Sequence, residues 1–137
     1  MLLILLGVFT ACTPFSIANS SMVNDTLIAQ AIYEQAFSFS KEGNMDSSIH
    51  YYNKAAHEFK KLKYWEQYIN SRIGTGWIMY ENGKYKEALD TLLNTLYDGL
   101  SLLGEIHPSI ASCYDNIGNI YGNMGNTEME LAYYNKA

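Results

Sequence analysis

Apolar and polar residues recur along most of this chain with the period of an α-helix. The clearest stripe has apolar residues at three- and four-residue intervals: Ile49, Tyr52, Ala56 and Phe59. The stretch NIGNIYGNMGN (116–126) keeps a similar apolar spacing despite its glycines and asparagines. No run of β-branched residues alternates between turn pairs, as a strand would require. The pattern therefore predicts an all-α protein.

The helical segments repeat. Three twenty-residue segments can be aligned: AFSFSKEGNMDSSIHYYNKA, GWIMYENGKYKEALDTLLNT and GNIYGNMGNTEMELAYYNKA, which begin at Ala36, Gly76 and Gly118. Each segment reaches a glycine seven positions after its first residue, and these glycines (Gly43, Gly83 and Gly125) are 40 and 42 residues apart. A period of this length with two helices per unit predicts a helical solenoid.

The letters of one unit predict its local structure. Each turn glycine ends a first helix, because it adopts the left-handed conformation without a Cβ clash. Asn44 and Asn126 follow, where a side-chain oxygen caps the next helix. A glycine inside a helix costs up to about 1 kcal/mol against alanine. We therefore expect the small residues that start the three segments to lie against a closely paired helix. His107-Pro108 is typical of a turn before a first helix.

The third segment resembles a tetratricopeptide repeat. Its residues Tyr114-x₂-Ile117-Gly118-x₂-Tyr121, followed by Tyr134 and Ala137, are similar to the signature W-x₂-L-G-x₂-Y of that family. The matching positions of the other segments are Gly76, Ala88 and Leu92, and Ala36, Phe39, Tyr52 and Ala55. The spacing is most similar to the longer repeats of kinesin light chains and bacterial regulators. The resemblance implies a right-handed α-solenoid of about three antiparallel helix pairs with an incomplete last repeat.

The resemblance covers residues 26–137, with repeats at about 29–65, 66–108 and 109–137. Two residues depart from the family pattern. Arg72 replaces the bulky apolar residue of the middle repeat, and Glu130 replaces the usual small residue of the third. Because Glu130 follows Thr127 by three positions, we expect the pair to form a capping box.

The resemblance also implies a binding face, since family members bind peptides along the first helices of their repeats. The corresponding residues here are Gln30, Tyr33, Glu34 and Phe37, then Asn70, Ile73, Trp77, Tyr80 and Glu81, then Asp115, Asn116, Asn119 and Asn123. Their amides can bracket an extended peptide by donating and accepting hydrogen bonds. Trp77 is either the main contact for a partner or a packing residue against the next repeat. None of these positions holds lysine or arginine, so we expect no clamp for a peptide carboxylate.

Composition and charge limit the class of partner that this chain can bind. The chain has 137 residues, of which 48% are hydrophobic and 17% charged, as in a globular domain. Its formal net charge of −5 argues against a nucleic-acid partner. We interpret the clustered Lys60, Lys61 and Lys63 as the solvated last turn of a helix rather than as a binding patch.

No catalytic, cofactor or metal site is expected. His50 and His57 lie two helical turns apart without a third ligand, and Cys113 lies among apolar positions, as a buried and inert thiol would. The glycines of 116–126 match no phosphate-binding spacing and follow no strand. Gly122 has no assigned role in the repeat, and we expect it to leave room for a ligand in the groove. The sequence predicts a protein that is not an enzyme.

The first eighteen residues differ in kind from the rest. Residues 1–18 carry no charge and include a short apolar run, as secretory signals do, and a polar linker is predicted at 19–25. Three interpretations remain: a lipobox that would leave Cys12 lipidated, an ordinary cleavage site at 16–18, or an apolar terminus without a targeting role. The first two predict an exported protein, either periplasmic, membrane-anchored through lipid, or secreted.

Two functions fit this sequence. The first is a non-enzymatic module that binds a peptide or protein partner in its groove. The second is the sensory part of a larger signalling enzyme, such as a kinase or a caspase-like peptidase, because the sequence stops within the last repeat's second helix at Ala137. The same open repeat suggests self-association with another copy.

Overall fold

A computed structural model describes residues 14–137, with side-chain exposures from residue 20 onward. The described residues form six helices and no strand. Their bounds are α1 Pro14–Lys41, α2 Met45–Lys61, α3 Trp65–Glu81, α4 Tyr85–Leu103, α5 Pro108–Asn123 and α6 Thr127–Tyr134. The predicted lipidation at Cys12 and the apolar run of the predicted signal lie in residues 1–13, outside the described part, whereas the alternative cleavage site at 16–18 falls within α1. No helix within it is both long and apolar enough to span a membrane.

Every helix packs against the next one along the chain, and α3 also contacts α5. The turns between helices are three or four residues long, so consecutive helices run in opposite directions and form the pairs α1–α2, α3–α4 and α5–α6. This arrangement confirms the predicted all-α solenoid.

Helices end in the same kind of turn at four places. Gly43, Gly83 and Gly125 have φ values of +75°, +73° and +76°, which confirms their predicted role as terminators. The amide of the following residue reaches back five positions, as in the bond from Asn44 N to Phe39 O at 2.9 Å, which is a Schellman motif. Lys63 ends α2 in the same conformation, with φ +60°, although it is not glycine.

The helix starts follow the predicted caps. Asn44 Oδ1 accepts from Ser47 N, and Asn126 Oδ1 accepts from Met129 N. The Nδ1 atom of His107 accepts from Ser109 N, and Pro108 occupies the first position of α5. The capping box expected between Thr127 and Glu130 does not form. Asn126 takes the cap position one residue earlier, which makes Thr127 the first residue of the helix.

The small residues of the repeat allow close helix pairing, as predicted. A Cβ atom added to Gly76 would lie 2.6 Å from Cγ of Leu92, and one added to Gly118 would lie 2.7 Å from Cε1 of Tyr134. Ala36 is fully buried at the equivalent place in α1. The largest core side chains that are almost completely buried are Phe59, Ile69, Ile78, Leu92, Ile110, Ile117 and Ile120.

The first and last helices are the least covered. Residues 19–25, expected as a linker, lie inside α1, because no proline or glycine interrupts the chain between Pro14 and Gly43. The side chains of residues 20–25 are exposed. At the other end, α6 spans eight residues and buries none of them.

Candidate functional site

The predicted binding face lies on α1, α3 and α5, and the structure joins two of these helices directly. The hydroxyl of Ser109, at the start of α5, donates to Oδ1 of Asn70 on α3 at 2.8 Å. Near the other end of the two helices, Nδ2 of Asn123 donates to the hydroxyl oxygen of Tyr80 at 2.7 Å. These two bonds hold α3 and α5 side by side, so their predicted residues share one surface.

The aromatic part of this surface is centred on Trp77. Its ring lies 5.1 Å from that of Tyr80, and Tyr80 lies 5.7 Å from Tyr85 of α4, measured between centroids. Trp77 retains 37% of its exposure, whereas Ile73, one turn earlier, packs against the core. Trp77 therefore packs on its own helix while keeping an accessible edge.

The α1 residues of the predicted face divide into two environments. Tyr33 packs edge-on against Tyr52, at 5.3 Å between centroids, and burial raises its pKa. Phe37 is half-exposed, and the ammonium of Lys41 lies over its ring, 4.5 Å from the centroid. Glu34 is exposed and accepts from Nε2 of Gln30 at 3.2 Å. Tyr33 thus belongs partly to the core, and Phe37 remains open to a partner.

Lys41 is a neighbour of this face that the sequence patterns did not single out. The predicted positions hold no cation, yet the Lys41 side chain lies over Phe37, one turn away on the same helix. The four-residue spacing of the two residues was the available indication.

The asparagines of the face have fixed orientations, because half of each amide is bonded within the protein. Asn70 and Asn119 use Oδ1 to accept from the hydroxyls of Ser109 and Tyr134. Asn116 donates from Nδ2 to the backbone carbonyl of Ser112. Asn123 donates from Nδ2 to the hydroxyl oxygen of Tyr80 and to the backbone carbonyl of Asn119. The other halves have no partner within residues 20–137. Asn70 and Asn119 therefore offer donors, and Asn116 and Asn123 offer acceptors.

The remaining predicted residues, Glu81 and Asp115, are exposed. Asp115 lies close enough to Tyr134 for its charge to raise the pKa of the Tyr134 hydroxyl. Burial, followed by the charges of Glu130 and Asp115, raises the pKa of Tyr134. Glu130 and Asp115 therefore both lie near the Tyr134 hydroxyl, where α5 meets α6.

The space at Gly122, expected to receive a ligand, is filled by the protein itself. A Cβ atom added there would lie 2.6 Å from Oε1 of Glu130. Glu130 is the residue that departs from the small side chain of the family pattern. The missing side chain of Gly122 on α5 therefore leaves room for the larger side chain of Glu130 on α6.

The candidate reactive residues, Cys113 and the two histidines of α2, lie in different environments. Cys113 is completely buried, as predicted, and burial raises the pKa of its thiol to about 12. Within residues 20–137, no group of three or more His, Cys, Asp or Glu residues is placed to hold a metal ion. His50 and His57 are both exposed on α2.

Concave cavities lie away from the predicted face. One of about 430 Å³ is formed by the turn before α5 and the chain end, and its lining includes Ile106, His107 and Lys136. Two others adjoin the first half of α3: one of about 280 Å³ is lined by α2 and α3, and one of about 230 Å³ by α2, α3 and α4. The sequence patterns did not predict these cavities, because the residues that line each one come from separate elements of the chain.

Comparisons with known proteins agree with the repeat architecture. Residues 111–137 match the family model of the tetratricopeptide repeat. The chain is 29% identical over 99 residues to the heat shock protein STI1 of Saccharomyces cerevisiae, an alignment that covers 72% of this chain and 15% of that protein. Its fold is similar to the crystal structure of BtubC (BKLC) from P. vanneervenii, with a TM-score of 0.70 and 18% identity. That superposition covers 82% of this chain and 45% of BtubC. The chain thus spans less than half the length of either protein.

Proposed function

Because the chain is a helical repeat protein of the tetratricopeptide type, we propose that it is a non-enzymatic interaction module. It holds a peptide or protein partner on the face formed by α1, α3 and α5. Helical repeats of this kind stack into extended surfaces that suit elongated partners. The observation that carries the proposal is the fixed orientation of the asparagine amides on α3 and α5.

An extended peptide presents carbonyl and N–H groups alternately along its backbone. The Nδ2 atoms of Asn70 and Asn119 suit the carbonyls, and the Oδ1 atoms of Asn116 and Asn123 suit the N–H groups. Because each amide is already held by a hydrogen bond within the protein, little side-chain entropy is lost when a partner binds.

Trp77 supplies the apolar anchor of the proposed site. Its ring is supported by Tyr80 and keeps an exposed edge, so a partner side chain can desolvate it. Tryptophan in such a position commonly dominates the energy of an interface.

The test uses peptides selected on the immobilised full chain from a random peptide library. One selected peptide is synthesised and its Kd measured by calorimetry against the variants Trp77→Ala and Asn116→Ala. We expect each variant to weaken binding, Trp77→Ala by about tenfold or more. The matched control is Tyr97→Ala on α4, an aromatic side chain that is 78% exposed and outside this face. Unchanged Kd values for both groove variants, with helical content preserved, would show that the assignment of the face is wrong.

Asn119 is less suitable for this test, because its Oδ1 atom also holds Tyr134 of α6 at 2.7 Å. Replacing Asn119 alters the last helix pair as well as the surface, whereas the bond of Asn116 stays within α5.

The peptide terminus provides a second experiment. The proposed contacts use the peptide backbone, so amidation of the peptide's C-terminus should change its Kd less than twofold. A large loss on amidation would instead indicate that a cation, with Lys41 the nearest to the face, binds the carboxylate.

We propose in addition that residues 1–18 direct export, with Cys12 lipidated. The support is the uncharged apolar segment before Cys12. Processing of the full chain in bacterial cells should be sensitive to globomycin and should be lost in Cys12→Ser. Processing that continues in Cys12→Ser points to ordinary cleavage after residue 18.

Self-association is proposed through the apolar side chains at the α5–α6 end. Leu131 is 57% exposed and Met124 is 52% exposed. Sedimentation velocity should show concentration-dependent dimers that Leu131→Glu abolishes. A chain that stays monomeric at high concentration contradicts this proposal.

A further inference from the structure

The two cavities beside α3 form a continuous surface with two kinds of lining. The first, of about 280 Å³, is lined by Asn53, Ala56, His57, Lys60, Tyr68 and Arg72, and the second, of about 230 Å³, by Lys60, Trp65, Tyr68, Tyr97, Asp98, Ser101 and Leu102. Lys60 and Tyr68 border both. The first cavity is rich in hydrogen-bond donors and has no carboxylate in its lining, and the second is largely aromatic and apolar.

Two cations of the first cavity are without an ionic partner. Within the described residues, the ion pair with an N–O distance of 4.0 Å or less joins Lys61 to Glu58, so neither Lys60 nor Arg72 has a carboxylate oxygen at that distance. Eight of the nine lysines and arginines have no ion-pair partner within the described residues, and Lys60 and Arg72 differ from most of them in lining the same cavity. Asp98, the acidic residue in the lining of the second cavity, accepts the hydroxyl hydrogen of Tyr68 at 2.7 Å, and the charges of Asp98 and Arg72 act on the pKa of Tyr68 in opposite directions.

The donors are held in place by the surrounding helices. Arg72 is partly buried, and its Nε atom donates to Oγ1 of Thr95 at 3.4 Å, which leaves the two terminal nitrogens of the guanidinium as a fork. The Lys60 ammonium lies 5.1 Å from the centroid of the Tyr68 ring. The hydroxyl of Thr75 donates to Oδ1 of Asn53, which fixes the orientation of this amide. The Nδ2 donor of Asn53 has no partner within the described residues.

This arrangement gives a reason for Arg72, which stands where the repeat pattern has a bulky apolar residue. A guanidinium fork binds oxyanions with two parallel hydrogen bonds, and an ammonium adds a compact charge. Donors from three side chains suit a phosphoryl group, which has three free oxygens, better than a carboxylate, which has two. Trp65 and Tyr97 line the neighbouring cavity, so an aromatic group held there can pack against their rings.

We propose that these two cavities together bind an aromatic phosphate monoester. The phosphoryl group occupies the cavity lined by Asn53, Lys60 and Arg72, and the aromatic ring occupies the cavity lined by Trp65 and Tyr97. The site lies on the α2–α4 side of α3, on a different side from Asn70 and Trp77, and is independent of the proposed peptide face.

The experiment is an NMR titration of the full chain with phenyl phosphate and with inorganic phosphate, at constant ionic strength maintained with sodium chloride. We expect saturable shifts in the amides of residues 53–60 and 68–72, with phenyl phosphate binding at least fivefold more tightly than inorganic phosphate. Absence of saturation with both ligands overturns the proposal. Equal affinity for the two overturns the assignment of the aromatic cavity.

Four variants test the residues. Lys60→Gln and Arg72→Met should each weaken phenyl phosphate binding at least fivefold. Lys60 is exposed, so its replacement tests the site even if Arg72→Met fails to fold. Lys61→Gln removes the same charge from the neighbouring position, outside both cavities, and should change affinity less than twofold. Asp98→Asn removes a negative charge while keeping an acceptor for Tyr68, and should tighten binding. Equal weakening by Lys60→Gln and Lys61→Gln would show that only the net charge matters, which contradicts a specific site.

Discussion

Tyr80 on α3 and Asn123 on α5 are joined by a hydrogen bond of 2.7 Å between residues 43 positions apart in the chain. The bond crosses the interface between two repeats at the surface, where the two first helices meet. It therefore links the register of one repeat to that of the next, and it belongs to the same face as Trp77.

Removing this bond should lower stability modestly. We expect Tyr80→Phe to lose about 1 kcal/mol in the free energy of unfolding, the usual net worth of one hydrogen bond. Urea unfolding followed by circular dichroism measures the change. Tyr97→Phe is the control, because the Tyr97 hydroxyl has no partner within the described residues and the side chain is 78% exposed. Equal unfolding midpoints for Tyr80→Phe and the unmodified chain would contradict a role for the bond.

The turn after α2 offers a stabilising substitution. Lys63 has φ +60°, a conformation that costs an L-residue about 1 kcal/mol or more and glycine almost nothing. Lys63→Gly should therefore raise the melting temperature by about 4 °C. Gly83→Ala is the reciprocal change, since Gly83 has φ +73° and no atom within 4 Å of an added Cβ, so the expected loss comes from backbone strain alone. The interpretation fails if Lys63→Gly melts earlier than the unmodified chain.

Two glycines inside helices should respond oppositely to alanine. Gly76→Ala places a Cβ 2.6 Å from the branching Cγ of the buried Leu92, and this overpacking should cost about 1 kcal/mol or more even after the gain in helix propensity. Gly122→Ala meets the mobile end of the Glu130 side chain, which can turn away, so stability should stay constant or rise by up to about 1 kcal/mol. Thermal unfolding of both variants checks the prediction, and a larger loss for Gly122→Ala than for Gly76→Ala would refute it.

The buried thiol should be protected from modification. Burial raises the pKa of Cys113 from 9.0 to about 12, so at pH 8 its thiolate fraction is about a thousandfold lower than that of an exposed thiol. In a Cys12→Ser chain, Ellman's reagent should react with no thiol of the native protein and with one thiol in denaturant. Rapid reaction of the native chain would mean that α5 opens readily.

The parts of the fold that were predictable from sequence are those that a single residue specifies. A positive φ needs glycine, so Gly43, Gly83 and Gly125 mark helix ends, and close helix contact needs a small residue, so Gly76 and Gly118 mark the pairing. The role of Lys63 as a helix terminator was not predicted, because lysine occupies the left-handed region only when the surrounding turn enforces it.

The contacts between repeats were less predictable, because they depend on tertiary geometry. Helical spacing placed Asn119 and Asn123 on one face, but it did not indicate that Tyr134 and Tyr80 bind them. Likewise, the two departures at Arg72 and Glu130 were visible as anomalies, but their reasons, a donor-lined cavity and a missing Cβ, required the packed helices.

The absence of buried residues in α6 has a consequence for dynamics. A helix of eight residues that packs only through partly exposed side chains, such as Tyr133 and Tyr134, gains less free energy from packing than the other helices, so it can open while α1–α5 stay folded. Its opening breaks the bond from Tyr134 to Asn119, uncovers the glycine surface of α5 and frees the Oδ1 atom of Asn119. Amide hydrogens of α6 should therefore exchange fastest among the helices from α2 to α6. The α5 surface gains a free hydrogen-bond acceptor and exposed glycines whenever this last helix opens.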